Sequence, residues 1–154
     1  MDANAIPPDL RRLLGAVQLT TDDRPYSVVS LPLDQMRAAT ILFGGLAEPF
    51  AAMIVDKHEV TIVMREIDWS LGSRGLKGMR VEIGYRLITL DVTLDLGVIG
   101  FMAVVSRRLA DAGIALLPIA AYSRDHILVH TQDYDRAWKA LSELIAACQS
   151  TDGR

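Results

Sequence analysis

The sequence predicts an α+β protein whose helices cover one face of an antiparallel sheet, and three stretches carry the prediction. From Leu87 to Leu94 the apolar residues Ile88, Leu90, Val92 and Leu94 alternate with Thr89, Asp91 and Thr93, the period of a strand with one buried face. Between Val98 and Ala112, the residues Val98, Phe101, Met102, Val105, Leu109 and Ala112 recur at helical spacing, with Arg107, Arg108 and Asp111 opposite. Earlier, Glu59 to Arg65 (EVTIVMR) alternates in a β-rich composition.

Taken in order, residues 1–24 read as an N-terminal extension. Pro7-Pro8 can open a short helix through Leu14, and Thr20 to Pro25 is polar and turn-rich. Residues 25–78 form a first unit with its linker. Tyr26 to Leu31 is a strand ended by Pro32, and Leu33 to Leu46 offers a helix interrupted by Gly44-Gly45. The apolar run Phe50 to Val55 and the strand from Glu59 make a hairpin across the polar turn Asp56-Lys57-His58. Ile67 to Gly78 holds three glycines and reads as a linker.

Residues 79–149 form the clearer unit. After the strand and helix already described, Gly113 stands where a helix ends. Ile114 to Tyr122 is a nearly unbroken apolar strand, Ser123-Arg124-Asp125 a turn, and Ile127 to Val129 the returning strand. Asp133 then caps a helix with Tyr134, Ala137, Trp138, Leu141, Ile145 and Cys148 along one stripe. Strand, helix, strand, strand, helix is most of a ferredoxin-like sandwich. A fourth strand is missing, because residues 150–154 are a polar tail; Met79 to Ile83, the first unit or another copy must supply it.

Composition excludes several functions. With 51% apolar and 23% charged residues among 154, the chain is globular. Its net charge is -3 and no Lys/Arg run exceeds two, which argues against nucleic acid as a partner. Cys148 is the sole cysteine, so no intramolecular disulfide can form. Met1 to Gly15 does not resemble a signal peptide and no apolar run reaches the ~20 residues of a membrane span. These observations predict a cytoplasmic protein without a membrane partner. The positive mean hydropathy points to apolar surface hidden in a homodimer.

No catalytic constellation stands out, so no enzyme and no cofactor are expected. There is no G-x-S-x-G elbow. His126 and His130 on a strand would lie ~13 Å apart, too far to share a metal. The spacing Gly72, Gly75, Gly78 precedes a strand rather than a helix, which argues against a phosphate loop. Trp69 and Trp138 read as packing residues.

The run "YRLITLDVTLDLGVIGFMAVVSRRLADAGIALLPIAAYSRDHILV", Tyr85 to Val129, resembles an ACT domain, more specifically the CASTOR-like ACT family and its small bacterial members. The resemblance rests on Leu94-Asp95, Gly100, Leu109-Ala110-Asp111-Ala112-Gly113-Ile114, Ile119-Ala120-Ala121-Tyr122 and Asp125-His126-Ile127-Leu128-Val129. It covers about 65 residues, through Leu141; the first half is similar only in layout and suggests a degenerate unit in tandem. The resemblance implies a regulatory fold without chemistry of its own, which binds an amino acid or related metabolite between paired ACT units and regulates a partner protein. The ligand residues it implies are Asp95, Leu96, Gly97, Val98, Ile99 and Gly100 in the loop from the first strand, and Ile119, Ala120, Ala121, Tyr122 and Asp125 on the facing strand.

Physical chemistry agrees with that placement. A helix beginning near Val98 offers unpaired amides to a carboxylate, Gly97 and Gly100 permit close approach, and Asp125 can receive an ammonium or guanidinium group. Structural readings stand beside these: Asp95 as a helix cap, Asp125 as a turn former, Tyr122 as an interface aromatic, Gly97 and Gly100 as packing glycines. The alternative function is a ligand-free dimerisation or docking module.

Overall fold

The structure, a computed structural model, describes residues 5–46 and 50–151. Two compact units emerge. One joins the residues up to Thr21 with Leu87 onward; the other is Asp22–Arg86. Their boundary falls inside one strand.

The Asp22–Arg86 unit contains β2 (Pro25–Leu31), α2 (Met36–Gly44), β3 (Ala52–Val55), β4 (Val60–Arg65), α3 (Glu66–Gly72) and the first seven residues of β5 (Arg80–Asp91). Its strands are antiparallel in the order β3-β4-β2-β5. Alternation sets the inward face: Val29 and Leu31 on β2 and Val60, Ile62 and Met64 on β4 are buried with Ala39 of α2. Leu42, Phe43, Trp69 and Val81 pack around them.

The expected linker from Ile67 to Gly78 is instead largely part of this unit. Its first residues form α3, anchored by Trp69 against the core and by Arg65 Nε on Asp68 Oδ2 at 2.8 Å, and Leu76 is buried. Gly72 faces the tip of the Leu42 side chain, which a Cβ there would have to displace.

The other unit contains α1 (Pro8–Gly15), β1 (Gln18–Thr20), the last five residues of β5, α4 (Phe101–Asp111), β6 (Leu117–Ala120), β7 (Asp125–His130) and α5 (Tyr134–Thr151). The order is β1-β5-β7-β6. Here lies the source of the fourth strand: β1 pairs antiparallel with β5 through Gln18↔Asp91, Leu19↔Leu90 and Thr20↔Thr89. The segment expected to be an extension is therefore built into this unit. Ile6, Leu10, Leu14 and Val17 are buried with Ile88, Leu90, Phe101, Val105, Leu109, Ile127, Val129 and Leu141, and Gln149 Nε2 donates to the Gly15 carbonyl at 2.8 Å.

Other boundaries shift for identifiable reasons. The first strand begins at Arg80, ahead of the alternating stretch, and ends at Asp91. The apolar run from Ile114 yields only the short β6, because Ile114 turns into the core and Pro118 lacks an amide to donate, which suits an edge position. Asp133 sits in a 3-10 turn, where its carboxylate receives Arg136 Nη1 at 2.7 Å. Of the expected tail 150–154, Ser150 and Thr151 end α5 and 152–154 lie outside the described residues.

Leu14 is 1% exposed, so Leu14→Ala should lower unfolding free energy by ~2–5 kcal/mol, through lost burial plus the cavity left behind. Ile83→Ala, at a side chain 60% exposed, should stay within about 0.5 kcal/mol of wild type in the same denaturant titration.

Candidate functional site

The loop between β5 and α4 and the β6–β7 turn come together in one cleft of about 310 Å³. Two backbone bonds shape it. Leu94 N–H donates to the Ser123 carbonyl at 2.9 Å, joining loop to turn, and Ala121 N–H donates to the Arg124 carbonyl at 2.9 Å, closing the turn itself. A third bond, Val98 N–H to the Asp95 carbonyl at 3.0 Å, folds the loop back before the helix.

The helix starts later than its periodicity suggests, at Phe101 rather than Val98, and its N-cap is Gly100. Gly100 has φ 87°, a left-handed conformation that costs an L side chain energy and glycine none. No side chain caps α4. Asp95, expected as a ligand residue or a helix cap, closes the turn with its carbonyl and lines the cleft. The first-turn amides of Phe101, Met102 and Ala103 have no acceptor within the helix, and these three residues line the cleft. Unpaired amides at the positive end of a helix dipole form a seat for an anionic group.

Opposite charge stands across from them. Asp125 opens β7, paired with Ala120. Burial raises its carboxyl above the ordinary carboxylate value, partly offset by His126. Arg124 is committed: its Nε reaches Asp91 Oδ1 at 2.6 Å. Both side chains of that pair are more than a third exposed, so the bridge contributes only ~0.2–1 kcal/mol; its effect here is to occupy the arginine. His126 points elsewhere, with Nδ1 2.9 Å from Thr89 Oγ1, and burial lowers its pKa, Asp125 opposing and Arg124 adding to the fall.

Of the residues expected at the site, Asp95, Leu96, Val98, Gly100, Ala120, Ala121, Tyr122 and Asp125 line the cleft; Gly97, Ile99 and Ile119 do not. Ile119 pairs with His126, which alternates with core-facing Ile127, so it lies on the sheet face away from the helices. Ile99 is 90% exposed. Sequence reasoning missed Leu94, Phe101, Met102, Ala103 and Arg124 as lining residues; the glycine at position 100, read as a helix start, would have recovered the three on α4.

The Asp22–Arg86 unit has a larger groove of about 610 Å³, lined by Ala38, Ile41, Leu42, Leu71 and Leu76 among others. Among the described lining residues the carboxylate is Asp68, and it is taken by Arg65. At the entry into α2 the Gln35 side chain accepts from the Lys77 amide at 3.2 Å. Among the described residues, no group of three or more His, Cys, Asp or Glu is arranged to hold a metal. Nor is any described helix long and apolar enough to cross a membrane.

Residues 80–143 match the family model of the ACT domain. No curated protein matches the chain. Among solved structures, the chain is similar to a protein of unknown function from Vibrio cholerae described as a possible transport protein, at 23% identity and TM-score 0.65, over 89% of this chain and 96% of that one. It is similar to a protein from Agrobacterium tumefaciens at 18% identity and TM-score 0.61, over 84% and 89%. It is also similar to the ligand-free regulatory subunit of aspartate kinase from Thermus thermophilus, at 12% identity and TM-score 0.63, over 84% and 99%. At these identities the likeness is one of fold: the chain has an ACT-like, ferredoxin-like architecture.

Two expectations follow. Gly100→Ala should cost ~1–3 kcal/mol from its left-handed backbone alone, read by thermal or denaturant unfolding. Because the folded pKa of His126 lies below its ordinary 6.5, its contribution is full above that value and declines as pH falls, the unfolded chain then binding the proton more readily. His126→Gln should therefore flatten the fall in stability between about pH 7 and pH 5, while Asp125, whose pKa is raised, works in the opposite direction at lower pH.

Proposed function

We propose that this protein is a regulatory sensor that binds a small zwitterionic metabolite, an amino acid or a close relative, in the cleft at the start of α4. The observation that carries the reading is the pairing of two recognition elements of opposite sign: uncapped first-turn amides on one wall and the Asp125 carboxylate on the other. Amides would receive the ligand carboxylate, and Asp125, with Asp95 at the rim, its ammonium group. A volume of about 310 Å³ suits a molecule of that size. The match of residues 80–143 to the ACT domain supports a small-molecule-binding regulatory role in general.

Leu96 and Tyr122, 73% and 83% exposed, rim the opening, with Ile99 beside them. Such a patch is suited to cover by another ACT-like unit. In this reading a homodimer closes the ligand between paired units, as the CASTOR-like resemblance implies. Ligand-dependent closure then alters how the dimer engages a partner protein, the shift being limited by the difference in ligand affinity between the two arrangements. On this reading the protein works in the cytoplasm and carries out no chemistry of its own.

The same exposed side chains favour the second reading, a docking module that needs no ligand. Thermal-shift screening against the twenty amino acids separates the two. A ligand at 100 times its Kd should stabilise the fold by ~2.7 kcal/mol, and Asp125→Asn should weaken that response at least tenfold in midpoint concentration, on the order of the ~1.4 kcal/mol expected from losing a charge-assisted bond. A flat response to every amino acid, with an oligomer that persists, would leave the docking module standing.

A further inference from the structure

The N-terminal segment reaches the candidate cleft by two independent routes. The first runs through α1. Leu10, 8% exposed, places its Cδ2 3.4 Å from the point where a Cβ on Gly100 would stand, so this side chain lies against the residue that turns the loop into α4. Its neighbours Ile6 and Leu14 are buried in the same core as Phe101 and Val105, the first inward side chains of α4. The second route runs through β1. Gln18 pairs with Asp91 at the end of β5, and Asp91 holds Arg124, the cleft residue beside Asp125.

We infer that Leu10 is a positioning residue for the cleft, and that seating of residues 5–20 and occupancy of the cleft are coupled. Leu10 fills the space behind Gly100. That packing holds the first turn of α4 at the angle where its amides converge on the opening. β1 meanwhile fixes the end of β5, and with it Asp91 and the arginine that Asp91 keeps off the ligand. Neither Leu10 nor Gln18 lines the cleft, so both act through other residues. Because coupling free energy is reciprocal, a ligand that pulls on the α4 amides also tightens the N-terminal segment, and a loosened segment weakens the ligand. The inference rests on the binding reading for its functional meaning, but its positional content can be tested without a ligand.

Hydrogen exchange on the whole chain provides that test. Two reporter amides serve: Leu94 in the cleft wall, bonded to the Ser123 carbonyl at 2.9 Å, and Val104 in the first turn of α4 next to the lining residue Ala103, bonded to the Gly100 carbonyl at 3.1 Å. A control lies at the far end of α4, where Ile114 N–H bonds the Leu109 carbonyl at 3.0 Å. In Leu10→Ala, Val104 should exchange about tenfold faster relative to Ile114, and Leu10→Met, close to volume-conserving, should restore wild-type exchange. Leu144→Ala, in the same core on α5, should accelerate all three amides alike or none. Equal acceleration of Val104 and Ile114 in Leu10→Ala would overturn the inference, as would unchanged exchange at Val104. If Leu10→Ala fails to fold, the milder Leu10→Val supplies the same ratio.

Glycine at saturating concentration, the smallest zwitterion, supplies the reciprocal arm. Slower exchange at Leu19 and Leu90 with glycine present supports the coupling. Binding of glycine without any slowing there overturns it. If glycine does not bind, the binding reading is weakened while the amide ratio still decides the positioning claim.

Discussion

A sheet built from a strand-helix-strand-strand-helix segment leaves one side of its first strand unpaired, and backbone groups there must find partners. Everything else in this molecule depends on how that need is met. In the Asp22–Arg86 unit the first seven residues of β5 meet it, returning after α3 to pair with β2. In the other unit β1 does so from the opposite end of the chain, three residues pairing with the last part of β5. A unit assembled from the two ends of the chain is less local than one assembled in order, so part of its stability lies in contacts of large sequence separation, such as Gln149 with Gly15.

Strong periodicities were legible. The α4 and α5 stripes, the alternation of β4 and the inward residues of β5 stand in the core as their spacing predicts. What escaped was set by contacts distant in sequence. Gln18-Leu19-Thr20 is too short to show a period, and only its pairing with β5 makes it a strand. Residues 67–78 read as a linker because Gly72, Gly75 and Gly78 resemble flexible chain, whereas Trp69 and Leu76 pack into the core of the Asp22–Arg86 unit against residues distant in sequence. At the cleft, the loop and turn were legible from the ACT resemblance. The contribution of Met102, Ala103 and Arg124 was not, because it depends on where Gly100 lets the helix begin and on which acid holds the arginine.

The cleft also shows how neighbouring charges divide their work. Arg124 and Asp125 adjoin in sequence, and an unrestrained pair would tend to neutralise one another. Asp91 takes the arginine, which leaves Asp125 half-buried with a carboxyl whose pKa is raised by lost hydration. A carboxylate held in that condition gains more from an incoming cation than a fully hydrated one, because part of its desolvation has already taken place. The raised pKa comes from burial, and the bridge to Asp91 separately accounts for Arg124.

Pro118 at the sheet margin has a consequence for self-association. A proline in β6 withholds a donor from the outer rim, and β1 at the other rim extends for only three residues. Neither margin of that unit offers a long ladder for a stray β-segment to extend, a guard against fibril-like growth. A contact between copies through this unit would have to be made by side-chain surfaces, where shape and charge can discriminate between right and wrong neighbours.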